Sequence, residues 1–211
     1  MGQYYNCLVE RGGQFKNYSL QIKGWKEREE KGEQWAYNGV KLMEHSYWGN
    51  SFMQAITGDL YHHKARVAWV GDYADDYKWE DSDKKPNPRA LSWLAWGGVG
   101  DDPILPMEDI EDNGGLTLED KYLVNHSKKI YVSGNDYYEL NKFKWSDTDE
   151  RFSCIHPLSL LTACGNGLGG GDYYEDNPDY NQVGSWCMDV ISVEDEAPAG
   201  YTEETYNFKE R

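Results

Sequence analysis

The sequence predicts an α+β fold, in which a mainly antiparallel sheet and two or three short helices form a single domain over residues 1–211. Short apolar runs bounded by glycine-rich turns are typical of antiparallel strands. Patterns with a helical period are few and short. The 17 Tyr and 9 Trp residues supply buried area that offsets a net charge of −16, which by itself would favour disorder.

The N-terminal half begins with a predicted hairpin, in which strand-like runs at residues 3–10 and 14–22 flank a Gly12-Gly13 turn. A helix is expected from Ser51, where Ser51 and Gln54 have capping-box spacing, and Gly58 is its expected stop. Residues 64–73 predict a strand that is buried on both faces, because apolar side chains occupy successive positions.

The C-terminal half contains a predicted hairpin over residues 122–133, with its turn near His126, and a predicted strand over residues 183–194. Residues 74–120 are rich in acidic residues, Pro and Gly, and we expect them to form a long loop-rich insertion over the core. Within that insertion a packed turn is predicted from Leu91, Trp93, Leu94 and Trp96. The acidic tail, residues 198–211, is expected to fray.

Four cysteines without a C-x-x-C pair indicate reduced thiols and a cytoplasmic protein. The sequence has no signal-peptide pattern and no apolar run of about 20 residues, so we expect no membrane association. The acid clusters lack the spacing of a calcium loop, and no cysteine and histidine spacing is typical of zinc. The sequence therefore indicates no cofactor and no metal.

The residues from His156 to Tyr174 carry the strongest candidate for a site. Five glycines fall within residues 165–171, which suits either a tight turn or the close approach of a ligand. His156 and Asp172 could act as a general base and its orienting carboxylate. The polar and aromatic segment 43–50 suits a pocket wall. The predicted ligand-binding residues are His45, Asn50, Asp72, His126, Asn166, Gly167, Gly169, Gly170, Gly171 and Trp186.

The acidity of the chain constrains its partners. A surface of this sign repels phosphate backbones and anionic lipids, so direct binding of nucleic acid or membrane is not expected. It favours association with a basic protein, such as one that itself binds nucleic acid. The predicted partner-binding residues are Asp75, Asp76, Asp101 and Asp102.

Several blocks of the sequence resemble a family of phage and bacterial hypothetical proteins of unknown function. These blocks are M-G-Q-Y-Y, K-L-M-E-H-S-Y-W-G-N, V-A-W-V-G-D-Y-A-D, L-V-N-H-S-K-K, the block from H-P-L-S-L-L-T to G-G-G-D-Y, and V-G-S-W-C-M-D-V-I-S. The resemblance implies a viral protein that acts on host machinery, and it implies no catalytic residue.

Two functions from different classes remain open. The first is an acidic binding protein, phage-encoded, that inhibits a host nuclease or defence complex through carboxylates and aromatic side chains. The alternative is a small enzyme, or a protein that sequesters a nucleotide, using the glycine-rich segment 165–171 with His156 and Asp172. The absence of a recognisable nucleophile motif ranks the binding protein first.

Overall fold

The structure is a computed structural model that describes residues 4–19, 46–72, 74, 88–97, 105, 107–110, 115–144, 146–164 and 179–208. Within these ranges one sheet of nine strands has the order β4-β2-β1-β3-β8-β5-β6-β9, and β7 pairs with β3 beside that path. The strands are Tyr5–Arg11 (β1), Gln14–Ser19 (β2), Ala65–Gly71 (β3), Met107–Asp109 (β4), Tyr122–Asn125 (β5), Ile130–Ser133 (β6), Ala163–Cys164 (β7), Val190–Glu194 (β8) and Thr202–Glu203 (β9). The helices are Ser51–Leu60 (α1), Pro88–Trp96 (α2), Gly134–Asn141 (α3) and Pro157–Leu161 (α4).

The predicted fold class is confirmed, because the sheet is mainly antiparallel and is accompanied by short helices. Antiparallel pairing joins β1 to β2, β1 to β3, β3 to β8, β5 to β8 and β5 to β6. Parallel pairing is confined to the short strands β4, β7 and β9. The described helices number four, where the sequence predicts two or three.

Strand β3 divides the core into two layers, as its apolar pattern predicts. Val67 and Trp69 are buried in the larger cluster with Phe52 of α1, while Ala68 and Val70 are buried in a smaller cluster on the other side. The N-terminal hairpin is also confirmed. Its turn places Gly12 and Gly13 at φ +59° and +83°, a conformation that glycine adopts without strain and that suits a two-residue hairpin turn.

Helix α1 forms where it is predicted, but its ends differ. Asn50 is the N-cap, and its side-chain oxygen accepts hydrogen bonds from the backbone N–H groups of Phe52 and Met53. Ser51 is therefore the first helical residue, and the helix continues past Gly58 to Leu60. Burial of Leu60 in the core outweighs the low helix propensity of the glycine.

The described part of the insertion, residues 74–120, contains one packed helix. Leu91 and Ala95 of α2 are buried against the smaller cluster, and the Ala95 carbonyl accepts hydrogen bonds from the side chains of Asn6 and Asn17. These two amides satisfy a carbonyl at the end of α2 that the helix itself leaves unpaired. Trp93, which the sequence places in the packed turn, is 46% exposed.

The hairpin of β5 and β6 is confirmed, and the residues after it form a helix that the sequence analysis does not predict. Ser133 is the N-cap of α3, and its hydroxyl accepts a hydrogen bond from the backbone N–H of Asp136. Gly134 packs against the turn that precedes β5. A Cβ atom on Gly134 would come within 1.9 Å of the Leu118 carbonyl oxygen in that turn. Only glycine at this position allows the turn and the helix to approach so closely.

Two C-terminal predictions differ from the structure. The strand predicted over residues 183–194 is limited to Val190–Glu194, because residues before it form turns that bury Trp186 and Cys187. The tail was expected to fray from residue 198, whereas β9 pairs with β6 and the rings of Tyr206 and Phe208 are buried in the core. Burial of these two rings and the pairing of β9 both oppose the entropy cost of ordering the segment.

Gly134→Ala should lower the free energy of unfolding by roughly 2–4 kcal/mol, because the new methyl group would overlap a backbone oxygen that cannot move aside. Urea unfolding followed by circular dichroism measures this change. Gly49→Ala is the matched control, since a Cβ atom there meets nothing within 4 Å. Equal stabilities of the two variants would contradict the packing described here.

Phe208→Ala should destabilise the protein by roughly 3 kcal/mol, the usual cost of truncating a buried phenylalanine. The matched control is Phe152→Ala, at an aromatic residue that is 47% exposed. If Phe208→Ala leaves the thermal unfolding midpoint unchanged, the tail is frayed, as the sequence predicts, and Phe208 does not pack in the core.

Candidate functional site

An open cleft of about 430 Å³ lies between α3, the turn that precedes β5 and the segment that precedes α1. This volume falls in the range of small-molecule and side-chain binding pockets. Two aromatic residues, three carboxylates and one amide form its walls. They are Trp48, Glu119, Asp120, Asn135, Tyr138 and Glu139.

The aromatic wall is a half-buried platform held from behind by the core. The ring centroids of Trp48 and Tyr138 are 5.4 Å apart with an interplanar angle of 54°. The Trp48 ring also stacks nearly parallel to Tyr137, at 6.4 Å and 9°, and lies 5.6 Å from the His156 ring. Its backbone N–H donates to the Cys154 carbonyl at 2.9 Å. The platform is therefore fixed before any ligand arrives.

The acidic wall is built from the turn that packs on Gly134. Asp120 has a left-handed backbone at φ +54°, and its backbone N–H donates to the Asn135 side-chain oxygen at 3.0 Å. The Asn135 amide donates in return to Asp120 Oδ1 at 2.8 Å. This reciprocal pair fixes the turn to α3. Glu119 thereby lies on the same cleft as Glu139, which follows Asn135 by one helical turn.

The cleft is strongly negative. Among the residues that the structure describes, its lining holds three carboxylates and no cationic side chain. Lys121, the nearest cation in sequence to Asp120, donates instead to Asp195 Oδ1 at 2.8 Å, and this hydrogen bond raises the pKa of Lys121. Lys142 contacts Glu139 from one turn further along the chain, at 2.5 Å. Glu139 is thus partly neutralised by Lys142, and Lys121 also attracts Asp120 electrostatically. Two described cations therefore act on three carboxylates, and the cleft keeps a net negative charge.

Five of the sequence-predicted site residues are described, and they do not converge. Within the described ranges, no hydrogen bond, ion pair or ring contact joins any two of Asn50, Asp72, His126, His156 and Trp186. The other predicted site residues lie outside the described residues. They are His45, Asp75, Asp76, Asp101, Asp102, Asn166, Gly167, Gly169, Gly170, Gly171 and Asp172.

The hydrogen bonds of His156 stabilise the fold and are made inside the core. His156 is the N-cap of α4, and its Nδ1 accepts a hydrogen bond from the Leu158 backbone N–H at 3.2 Å. The proton therefore sits on Nε2, which donates to the Thr57 hydroxyl at 3.3 Å, and that hydroxyl donates to the Met53 carbonyl. The side chain is 1% exposed, and burial lowers the pKa of His156 to about 3. This geometry opposes the general-base role that the sequence suggests.

His126 lies in a second hydrogen-bonded chain, whose direction is set by Glu194. The Ser192 hydroxyl donates to Glu194 Oε1 at 2.6 Å, so it must accept from His126 Nε2, 2.8 Å away. The Tyr201 hydroxyl then donates to His126 Nδ1. Burial, with a smaller contribution from Lys64, lowers the pKa of His126. Because Ser192 is buried and its proton is directed to a carboxylate, this contact is not a serine nucleophile activated by a histidine.

The remaining described candidates also have defined partners. The half-buried carboxylate of Asp72 accepts from the Tyr4 backbone N–H at 3.2 Å, and burial raises its pKa. It directly follows β3, whose Val70 pairs with Cys164 at the start of the glycine-rich segment. That segment itself lies outside the described residues. The Trp186 indole is fully buried and donates to the Tyr206 hydroxyl.

The cleft residues other than Trp48 carry no signal in the sequence. Glu119 and Asp120 form one of many acidic pairs, and Asn135 and Tyr138 follow the predicted hairpin in a stretch for which the sequence predicts no helix or strand. Trp48 belongs to the polar and aromatic segment predicted as a pocket wall, and it does line the cleft. Among the described residues no group of three or more His, Cys, Asp or Glu side chains could hold a metal ion.

His156→Asn should reduce the pH dependence of stability between pH 7.5 and 5. The unfolded chain takes up a proton on His156 near pH 6.5, whereas the folded protein does so only near pH 3, so this site removes about 1.4 kcal/mol of stability per pH unit below 6.5. Asn can still cap α4 but does not titrate. Urea unfolding at the two pH values, with the exposed His63→Asn as control, measures the difference. Equal slopes in wild type and His156→Asn would contradict a neutral buried imidazole.

Comparisons of the chain with models of protein families, with curated proteins and with solved structures find no match. In the part of the chain that the structure describes, no helix is both long and apolar enough to cross a membrane.

Proposed function

We propose that this protein binds a basic partner by taking a cationic side chain of that partner into the acidic, aromatic cleft. The observation that carries the proposal is the meeting of three carboxylates with Trp48 and Tyr138 in one open cavity, whose described lining residues include no cation. Aromatic faces and carboxylates attract the same ligand, a cation, by two different electrostatic mechanisms.

The size of these interactions favours a macromolecular partner. A cation on an exposed aromatic face gains about 0.5–1 kcal/mol. Each exposed carboxylate adds about 0.2–1 kcal/mol. One cleft therefore binds a single free amine or guanidine only at high concentration, near millimolar for roughly 4 kcal/mol. Useful affinity requires further contacts around the cleft, together with long-range attraction from a chain of net charge −16.

The partner class that suits this surface is a protein with an exposed basic groove, as nucleic-acid-binding proteins have. Occupation of such a groove by an acidic protein would exclude nucleic acid from it, so inhibition of a host nuclease or defence complex is the biological form we propose. The proposal places this action in the cytoplasm. The four cysteines, all buried and free, support that location because it is a reducing compartment.

The alternative of a small enzyme or a nucleotide-sequestering protein has less support. It depends on the glycine-rich segment 165–171 and Asp172, which lie outside the described residues, and on His156. Both ring nitrogens of His156 are already hydrogen-bonded inside the core. No described residue pair takes over the role of a general base.

The probe is a fluorescein-labelled peptide in which arginine and lysine alternate and are separated by glycines. The double variant Glu119→Gln/Glu139→Gln should weaken its binding by roughly 10-fold, because two negative charges are removed from the cleft while its shape is kept. Asp120 is kept, since it holds the turn through Asn135. Fluorescence anisotropy measures the dissociation constant. Binding should also weaken from 0.05 to 0.5 M salt, as the Debye length falls from roughly 14 to 4 Å.

The matched control is Asp147→Asn/Glu150→Gln, which removes the same charge from two exposed residues of another loop. This control should bind within about 2-fold of wild type, because neither residue lines the cleft and exposed charges are screened by 0.15 M salt. If the two double variants lose affinity equally, the cleft is not the binding site.

A further inference from the structure

Resting on the proposed function, we propose that the cleft selects arginine over lysine and over a quaternary ammonium group. The proposal concerns the chemical class of the cation. It follows from the arrangement of the two rings and from the acceptor oxygens around them.

The aromatic rings form one platform, not a cage. A quaternary ammonium ligand is recognised when several aromatic faces surround it. Trp48 and Tyr138 instead contact each other at 5.4 Å, and the Trp48 ring is also in contact with Tyr137 and His156. No cation fits between rings packed in this way. A cation can only lie on the open part of the platform, where a planar group gains more contact than a tetrahedral one.

A guanidinium group is planar and stacks on aromatic faces, and it is less strongly hydrated than an ammonium group. It therefore gains more area on the platform and loses less hydration on leaving water. The platform is held from behind by core contacts, which include the hydrogen bond from the Trp48 backbone N–H to Cys154. Little side-chain entropy is lost when a ligand stacks on it.

The carboxylates also match a ligand with many donors. Asp120 uses Oδ1 to accept from Asn135, and Glu139 uses Oε2 to contact Lys142. The second oxygen of each, and both oxygens of Glu119, accept no hydrogen bond from the described part of the chain. A guanidinium presents five N–H donors in a fixed plane, so it can reach two of these carboxylates while it stacks. A lysine ammonium has three donors on one atom, and a trimethylated lysine has none.

Three labelled peptides test the selection: glycine alternating with six arginines, with six lysines, or with six trimethyllysines. They carry equal charge, so long-range attraction is the same for all three. In anisotropy titrations at 0.1 M salt, we expect the arginine peptide to bind the full-length protein at least 5-fold more tightly than either of the others. Glu119→Gln should reduce arginine binding more than lysine binding, because it removes a bidentate acceptor and leaves the fold intact.

Tyr138→Leu tests the platform, with Tyr131→Leu as a matched control at another half-buried tyrosine. We expect the ratio of arginine to lysine affinity to fall toward 1 in Tyr138→Leu and to stay unchanged in the control. If Tyr138→Leu does not fold, the Glu119→Gln comparison decides alone.

The outcomes separate the two proposals. Equal affinities for arginine and lysine peptides, both lost in Glu119→Gln/Glu139→Gln, overturn the selection but still support an acidic cleft that binds cations. Tightest binding of the trimethyllysine peptide also overturns the selection. Binding of every peptide that is insensitive to Glu119→Gln/Glu139→Gln overturns the proposed function itself.

Discussion

The close approach of the Leu118 carbonyl to Gly134 is the contact on which the cleft depends. Because no Cβ separates them, the turn that precedes β5 rests directly on the first residue of α3. The same turn is closed by the hydrogen bonds from Lys121 N–H to Leu118 and from Gly134 N–H to Lys121. Glu119 and Asp120 are thereby held beside Asn135, although they are separated from it by a complete hairpin in the sequence. One missing side chain brings two distant segments together.

The opposite wall depends on a buried polar chain. Trp48 packs against His156, whose ring is tied to α1 through Thr57 and to α4 through the Leu158 backbone. Each atom in this chain has one role as donor or acceptor, so the imidazole must stay neutral for the chain to persist. The residue that looked most like a catalytic group in the sequence therefore supports the platform behind the cleft.

The sequence predicts the fold better than the site, and the reason is physical. Strand β3, the two hairpins and α1 follow from local periodicity and from turn or cap residues within a few positions. The tail and α3 were missed because burial of Tyr206 and Phe208, and a glycine chosen for close packing, are tertiary effects. The cleft joins residues near positions 48, 119 and 135–139, and no local pattern connects them. Asp and Glu are so common in this chain that residue type alone does not indicate which of them line the cleft.

A single exposed cleft would bind one cation only weakly. Under the proposed function, the high net negative charge of the chain would add long-range attraction to a basic partner. Two or three carboxylates at the surface discriminate among cations by geometry, but they contribute little free energy each in water. Net charge acts over the Debye length and mainly raises the rate of encounter with a basic surface. Under the proposed function, the platform would act after encounter, by setting how long a correctly shaped side chain stays bound. In the proposed function, charge and cleft would thus govern different steps of one association, and neither would be sufficient without the other.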